Sequence, residues 1–271
     1  MDRFAELAAW IKCSLVFSGH ETEFSALLKK HGSAEGVLAG ISRRRFDDTA
    51  VQSIIDECAA EGIEILTQQD EKFPRCFFET LPPVVVYVRG DTTALSEESS
   101  IGIIGARRAS EYSLGVCRRF SGELAARGKV IVSGFALGTD QTAHCACLNS
   151  GGKTVSVLGC GIGYDYPHGC LELQRRIARQ GAVISEFAPK TKPVPENFIR
   201  RNRLIGALSQ KLLVIEASDK SGCLNTVSHA LELGREVFVI PPHSIVQKRY
   251  AGQCGLIRDG ADIAFQPSDL I

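Results

Sequence analysis

Arginines and a lysine-containing turn are the residues of this chain best suited to anion chemistry. The stretch Asn197–Thr226 reads NFIRRNRLIGALSQKLLVIEASDKSGCLNT and places Arg200, Arg201 and Arg203 at the start of a predicted helix. It continues through an apolar strand into the turn Lys220-Ser221-Gly222, which opens the next helix. Guanidinium groups bind phosphate oxygens in pairs, and free N–H groups at a helix N-terminus accept anions. The stretch therefore predicts a phosphate-binding edge.

Glycine-containing turns follow three other predicted strands. The first is Gly105-Ala106-Arg107-Arg108, the second runs from Ser133-Gly134 to Gly138, and the third is Gly159-Cys160-Gly161-Ile162-Gly163. Glycine has no Cβ, so backbone N–H groups at such turns can approach an oxyanion closely. At any single turn the alternative is a glycine that ends a strand for structural reasons. The three turns together, joined by the arginines, favour the phosphate interpretation.

Dinucleotide enzymes and hydrolases fit the sequence poorly. Gly102 and Gly105 do not have the G-x-G-x-x-G spacing, and the second strand ends in Val132-Ser133 instead of an acidic residue. Ser133 lacks a G-x-S-x-G elbow, and His144 has no evident carboxylate partner. We expect His144 to pack or hydrogen-bond locally, and Asp140 to cap or orient the helix that begins near it. No catalytic residue, cofactor or metal is predicted.

Short apolar runs alternate with helical stretches from about residue 99 onward. The runs are Ile101–Ile104, Lys129–Val132, Thr154–Leu158, Ala182–Ser185, Leu212–Ile215 and Glu236–Ile240. Near-continuous apolar strands joined by helices are typical of a parallel sheet that is covered on both faces. We therefore predict an α/β fold, an extended Rossmann-like doubly wound and mostly parallel sheet. Its turns after the strands gather the candidate residues on one edge.

The chain divides into an acidic and a basic part. Residues 1–65 predict a small helical domain of the SAM or helix-hairpin kind, residues 66–98 a linker and edge strand, and residues 99–271 the Rossmann-like domain. Residues 1–98 contain 10 Lys and Arg against 17 Asp and Glu, a net charge of −7, and residues 99–271 contain 21 against 14, a net of +7. This asymmetry favours a polyanionic partner for the basic part. Chance variation in surface charge is the alternative.

Cysteine usage and hydropathy favour a cytoplasmic protein that does not span a membrane. The 10 cysteines are scattered, often in apolar segments, and the sequence starts with MDRFAELAAW, which includes acidic residues. No run approaches 18 uninterrupted apolar residues. Cys145 and Cys147 beside His144 lack a second ligand pair, so reduced buried thiols explain them better than a metal site.

Seven motifs occur in a fixed order along the chain, namely IGIIGARRAS, VSGFALGTDQTAH, VLGCGIGYDYP, ISEF, FIRRNRLIGALS, VIEASDKSGCLNT and GREVFVIP. Together they resemble the DprA/Smf family, the DNA-processing proteins of bacterial transformation, from about Leu66 to Ile263. The resemblance implies a protein that binds single-stranded DNA, forms a homodimer and helps load RecA onto the strand. It implies no enzymatic activity.

The same resemblance assigns candidate DNA contacts. Those expected to bind phosphates are Gly105, Arg107, Ser133, Gly134, Gly138, Arg201, Asn202, Arg203, Lys220, Ser221, Gly222 and Thr226. Phe135 and Phe198 are candidates for stacking bases, and core packing is the alternative for both. Lys248 and Arg249, after the last strand, are further basic candidates.

The sequence departs from the family pattern in three places. It has Ala136-Leu137-Gly138-Thr139-Asp140 where many members have Ala-Arg-Gly-Ile-Asp, which removes one arginine. Ile240-Pro241-Pro242 replaces Val-Pro-Gly, and Cys254 stands where an asparagine is expected.

Two other functions stay open from the sequence. One is an enzyme or sensor of a nucleotide phosphate, like the lysine-decarboxylase-like phosphoribohydrolases. Those carry P-G-G-x-G-T-x-x-E, and the corresponding segment Ser221–Thr226 lacks the catalytic glutamate. The other is an interaction scaffold whose acidic N-terminal part docks a partner.

Overall fold

The computed structural model describes residues 3–41 and 48–271, apart from the side chain of Glu97. Its helices are α1 Arg3–Val16, α2 Glu21–His31, α3 Ala34–Gly40, α4 Asp48–Ala60, α5 Glu111–Ala126, α6 Thr139–Asn149, α7 Leu171–Gln180, α8 Pro195–Leu208, α9 Cys223–Glu232 and α10 Ala251–Arg258. Among the described residues, none of these helices is long and apolar enough to cross a membrane.

One sheet of nine strands organises the described part of the chain. The strands are β1 Glu64–Thr67, β2 Val85–Gly90, β3 Ser100–Ile104, β4 Val130–Ser133, β5 Thr154–Leu158, β6 Ala182–Ser185, β7 Lys211–Val214, β8 Glu236–Val239 and β9 Asp262–Ile263. Their order is β1-β2-β6-β5-β4-β3-β7-β8-β9. Strands β3 to β9 pair in parallel, and β2 is antiparallel to both its neighbours. The predicted mostly parallel α/β sheet is confirmed.

Helices cover both faces of the sheet because alternate strand residues point to opposite sides. Ile101 and Ile103 of β3 and Leu213 of β7 lie in one apolar cluster with residues of α5 and α6. Ile104 and Val214 lie in another cluster with residues of α8 and α9. This burial on both faces explains why the strands read as continuous apolar runs.

The N-terminal helices share a core with the sheet. Trp10 and Phe24 meet edge to face, with ring centroids 5.7 Å apart, and belong to the same apolar cluster as Val85 and Tyr87 of β2. The predicted boundary at residue 65 falls within β1, the first strand of the sheet. That residues 1–65 form a separate domain stays a prediction. Residues 1, 2 and 42–47, which that prediction includes, lie outside the described residues.

Strand order also fixes where a ligand is expected. The chain moves from β3 through α5 to β4 on one side, whereas β7 pairs with the other side of β3. Such a reversal opens a crevice outside the carboxyl ends of the two strands. The turns after β3 and β7 therefore face the same crevice.

Candidate phosphate-binding cleft

A cavity of about 710 Å³ opens at the carboxyl ends of β3 and β7, and we call it the cleft. It is formed by the turn after β3, the turn after β4, the first half of α8 and the turn that leads into α9. Its lining includes Gly105, Arg107, Arg108, Asp140, Phe198, Arg201, Asn202, Ser221, Gly222 and Thr226. Seven of the phosphate-binding residues predicted from the sequence thus lie together: Gly105, Arg107, Arg201, Asn202, Ser221, Gly222 and Thr226.

The N-termini of α8 and α9, which are the positive ends of the helix dipoles, lie at the cleft. Within residues 48–271, α8 and α9 begin without a side-chain cap, at Val194 and Gly222, and the first residues of both line the cleft. In α5, by contrast, the side chain of Ser110 accepts a hydrogen bond from the backbone N–H of Ser113. Part of the first turn of each helix is already used, since Asn197 N–H donates to the Val194 carbonyl and Leu224 N–H to the Ser221 carbonyl. The helix dipole still favours negative charge at these ends.

Two guanidinium groups lie near the ring of Phe198. The Cζ atoms of Arg107 and Arg201 are 5.9 Å and 5.8 Å from the centre of its ring. The ring of Tyr166 lies 5.3 Å away on a tilted plane. Arg107 is exposed and Phe198 is half-buried. The cleft thus presents a cation and an aromatic ring side by side, which suits a nucleotide with its phosphate and base.

Arg201 is fixed inside the protein although it lines the cleft. It is 4% exposed, and its Nη1 donates to the carbonyl oxygens of Gly134, at 2.6 Å, and of Val157. Burial lowers the pKa of Arg201 to about 10, against the opposing effect of the Asp140 carboxylate. Burial likewise raises the pKa of Asp140 to about 6, against the effect of Arg201. The opposite charges of these two residues therefore attract each other within the floor of the cleft.

Asp140 also holds the turn after β4, since its Oδ2 accepts the backbone N–H of Ala136 at 3.1 Å. Asp140 thus holds the turn before α6 and does not cap the helix, and its attraction to the Arg201 charge was not predicted. No spacing in the sequence relates these two residues, which are 61 positions apart along the chain and meet only through the sheet order.

Arg203 points away from the cleft into a buried ionic cluster. Its Nη1 and Nη2 donate to the two carboxylate oxygens of Glu186 at 2.7 Å and 2.8 Å, and its Nε donates to the carbonyl of Leu81 at 2.9 Å. Arg200 binds the same Glu186 carboxylate at 2.9 Å and also pairs with Glu21 of α2. Burial by itself would raise the pKa of Glu186, but Arg203 and Arg200 outweigh it and hold that pKa below its ordinary value.

The other predicted contacts divide between core and surface. Ser133 is buried and its hydroxyl donates to the carbonyl of Ile103 at 2.6 Å. Phe135 is 2% exposed, has a φ of 64°, and packs its ring against His144 with centroids 6.1 Å apart. Lys220 is exposed in the turn beside the cleft but is outside its lining.

Gly134 and Gly138 are required by close approaches. A Cβ on Gly134 would lie 2.8 Å from the Nη2 atom of Arg201. Gly138 has a φ of 79°, and a Cβ there would come within 2.5 Å of the carbonyl oxygen of Arg107. Glycine is therefore needed at both positions for packing against Arg201 and the Arg107 carbonyl, and phosphate binding by Gly134 and Gly138 stays a prediction.

The expectation for His144 is confirmed. Its Nδ1 lies 2.7 Å from the hydroxyl of Thr154, and burial lowers the pKa of His144 to about 3.

All ten cysteines lie in the described ranges and are unpaired. Burial raises the pKa of Cys117 and Cys147 to about 12, so these two are inert as nucleophiles.

Residues 64–271 match the family model described as DNA recombination-mediator protein A. The chain belongs to this family. The resemblance seen in the sequence motifs is thereby confirmed, and the matched segment contains the whole sheet and the cleft.

Curated relatives agree with this assignment. The chain is 38% identical over 213 residues to the DNA processing protein DprA of Bacillus subtilis, which covers 78% of this chain and 71% of that protein. It is 36% identical over 221 residues to the protein Smf of Synechocystis, covering 80% of this chain and 55% of that protein.

Solved structures agree as well. An X-ray structure of DNA processing protein A from Streptococcus pneumoniae superimposes with a TM-score of 0.76 at 30% identity, over 88% of this chain and 81% of that chain. A structure concerning the single-stranded DNA binding mode of the Helicobacter pylori protein superimposes with a TM-score of 0.69 at 30% identity, over 76% of this chain and 93% of that chain.

Proposed function

We propose that this chain binds single-stranded DNA through the cleft and acts as a recombination mediator that protects incoming DNA and helps load RecA during natural transformation. The observation that carries the proposal is the exposed guanidinium of Arg107 beside the half-buried ring of Phe198, at the mouth of a cleft that receives two helix N-termini. Membership of the recombination-mediator family supports the DNA-processing role. The Helicobacter pylori relative is described as binding single-stranded DNA, which supports the choice of ligand.

The cleft residues take different roles in this proposal. Arg107 and Lys220 are exposed cations that pair with phosphates, and Ser221, Gly222 and Thr226 surround the N-terminus of α9, which accepts one more. The buried charge of Arg201 adds to the positive potential of the floor.

Phe198 takes the stacking role, because a ring beside the cleft can meet only a base that has left its helical stack. This favours single strands over duplex. Phe135, Ser133 and Arg203 are assigned to the scaffold, since their rings or polar groups are already used inside the protein.

The direct test is fluorescence anisotropy with a labelled single-stranded oligonucleotide and a duplex of equal length. Arg107→Ala is expected to weaken single-strand binding roughly tenfold or more, because a charge-assisted contact is lost. Arg127→Ala, which removes an exposed arginine at the end of α5, is the matched control and should bind normally. Equal affinity for duplex, or normal binding by Arg107→Ala, would contradict the proposal. Release of base from nucleoside monophosphates would instead favour the phosphoribohydrolase alternative.

We also propose a homodimer. The sheet ends at β9, where Ile263 and Phe265 are exposed, Phe265 by 71%. An exposed edge strand with apolar side chains offers a pairing surface to a second copy. Light scattering should give a dimer for the wild type and a monomer for Phe265→Asp. A monomeric wild type would contradict this part of the proposal.

RecA loading is tested separately from DNA binding. RecA filament formation on strands coated with single-strand-binding protein should start faster when this chain is present. Arg107→Ala should lose that effect. Acceleration by Arg107→Ala equal to wild type would show that loading does not depend on the cleft.

A further inference from the structure

An aromatic pair lies outside the cleft, on the far side of Arg108. Tyr112 stands in the first turn of α5 and His243 in the loop after β8, and their ring centroids are 4.8 Å apart with 32° between the planes. Tyr112 is 40% exposed, and its hydroxyl donates to the carbonyl of Pro241 at 3.5 Å. His243 is exposed as well. The two rings thus form a surface stack held by the loop rather than a part of the core.

The turn after β3 joins this pair to the cleft. Its Arg107 end contacts Phe198, and its other end runs through Arg108 and Ser110 into α5. The loop after β8 is tied to the same turn, because Arg249 Nη2 donates to the Arg108 carbonyl at 3.5 Å. The Ser110 hydroxyl also lies 3.0 Å from the hydroxyl of Tyr250. The turn after β3 and the loop after β8 are thus linked by contacts between the Arg107 side of the cleft and the Tyr112–His243 pair.

Charge along this route suits a polyanion. Arg108, Lys248 and Arg249 are all exposed. The Glu216 carboxylate nearby is buried and accepts the backbone N–H and hydroxyl of Ser110 at 2.9 Å and 2.7 Å. It also lies 3.7 Å from Arg249. Glu111 beside Tyr112 is exposed, 4.0 Å from Arg118. The cations therefore exceed the accessible carboxylates on the path.

We infer that Tyr112 and His243 form a second base-stacking platform, which binds nucleotides that extend beyond the cleft while Arg108 and Arg249 neutralise the intervening phosphates. The inference rests on the proposed function, since it needs a single strand seated in the cleft. Every base has a π face, so the platform accepts any sequence. Arginine next to an exposed aromatic ring is the usual composition of a single-strand path.

Oligothymidylates of increasing length separate this inference from the cleft proposal. Affinity should be measured by anisotropy with competitors of roughly 4 to 16 nucleotides, the range of single-strand site sizes. Wild-type affinity should rise with length beyond what fills the cleft. Tyr112→Ala should reach its plateau at a shorter length and bind the longest oligonucleotide roughly tenfold more weakly. It should bind the shortest ones like wild type.

Conservative and matched variants complete the experiment. Tyr112→Phe keeps the ring and should retain wild-type length dependence, and Phe78→Ala, which removes a half-exposed aromatic ring elsewhere, should too. The urea midpoint of each variant checks folding. The inference is overturned if Tyr112→Ala reaches its affinity plateau at the wild-type length or loses affinity equally at every length. It is also overturned if Tyr112→Ala changes the oligomeric state and leaves the length dependence unchanged. Absence of wild-type binding overturns the cleft proposal and this inference together. Normal binding by Arg107→Ala, with the length dependence still lost in Tyr112→Ala, overturns the cleft proposal alone.

Discussion

Burial distinguishes three arginines, Arg107, Arg201 and Arg203, that the sequence analysis predicts alike as phosphate-binding residues. Arg107 is exposed at the cleft, whereas Arg201 and Arg203 are 4% and 5% exposed and bind protein acceptors. A guanidinium whose donors are used inside the protein cannot release them to a phosphate without leaving buried acceptors unpaired, which are carbonyl oxygens for Arg201 and the Glu186 carboxylate for Arg203. Of these three arginines, Arg107 is therefore the one expected to exchange water for phosphate without disturbing hydrogen bonds inside the protein.

Arg203→Ala should lower the free energy of unfolding by about 3 kcal/mol or more, because it leaves Glu186 buried with one partner fewer. Arg107→Ala should change that free energy by less than about 0.5 kcal/mol, as surface substitutions usually do. Urea unfolding followed by circular dichroism measures both. Equal destabilisation by the two variants would contradict the division into scaffold and contact residues.

Gly138→Ala should destabilise the protein by about 1–3 kcal/mol, since the residue has a φ of 79° and the new Cβ would meet the Arg107 carbonyl. The displaced turn should also weaken single-strand binding. Gly128→Ala is the matched control, because its φ is also 79° but no atom lies within 4 Å of the position that the new methyl group would take. It should lose stability from strain alone and bind DNA normally. A Gly138→Ala variant that bound normally would show that the turn after β3 tolerates the shift.

At the scale of elements, α8 connects the cleft to the rest of the fold. One side of this helix carries Phe198, Arg201 and Asn202 to the cleft. The other carries Arg200 and Arg203 to Glu186, which follows β6, and Arg200 continues to Glu21 of α2. The position of the aromatic ring in the cleft therefore depends on a buried ionic cluster behind it.

Glu186→Gln should lower the free energy of unfolding by about 3 kcal/mol near neutral pH, since buried Arg203 loses its countercharge and Arg200 keeps only Glu21. The pKa of Glu186 lies below its ordinary 4.5 in the folded protein. Its stabilisation is therefore complete above about pH 4.5 and is lost as the pH falls through the folded pKa. The difference between wild type and Glu186→Gln should narrow below about pH 4.5, which urea unfolding at several pH values measures. A difference that stayed constant or widened on acidification would exclude an ionised Glu186 in the folded state.

At the scale of the molecule, charge is unevenly distributed between an acidic N-terminal part and a basic Rossmann-like part. The exposed cations at the cleft and in the turn beside it are Arg107, Arg108 and Lys220. The net positive part can therefore attract a polyanion even though the whole chain is neutral.

Binding of a short single strand should weaken with salt, because each neutralised phosphate releases counterions. Three contacts predict a slope of about −2 in the logarithm of the association constant against the logarithm of salt concentration. Arg107→Ala should reduce the magnitude of that slope by about 0.7. Anisotropy titrations at several salt concentrations measure both. A slope near zero would indicate that stacking alone holds the strand.

The sequence by itself determined the strands β3 to β8, the doubly wound parallel sheet, the family and the gathering of glycine turns at one edge. It also predicted β2, but as an edge strand, which was wrong because β2 lies between β1 and β6. Apolar runs and turn residues indicate strands and turns through local patterns, so they can be recognised in the sequence before the fold is known. Strand β9 was missed because two residues carry too little pattern, and β1 because its sequence EILT has only two apolar residues between polar ends.

Only the tertiary structure decided what each candidate side chain does. Arg201 and Arg203 are two positions apart on α8, yet one faces the cleft floor and Asp140 while the other faces Glu186. Tyr112 and His243 meet although 131 positions separate them. Burial and long-range pairing depend on how the sheet is ordered and how the helices pack on it, and no local pattern records either. The sequence therefore predicted where the site lies, and the packing decided which of its residues are free to bind.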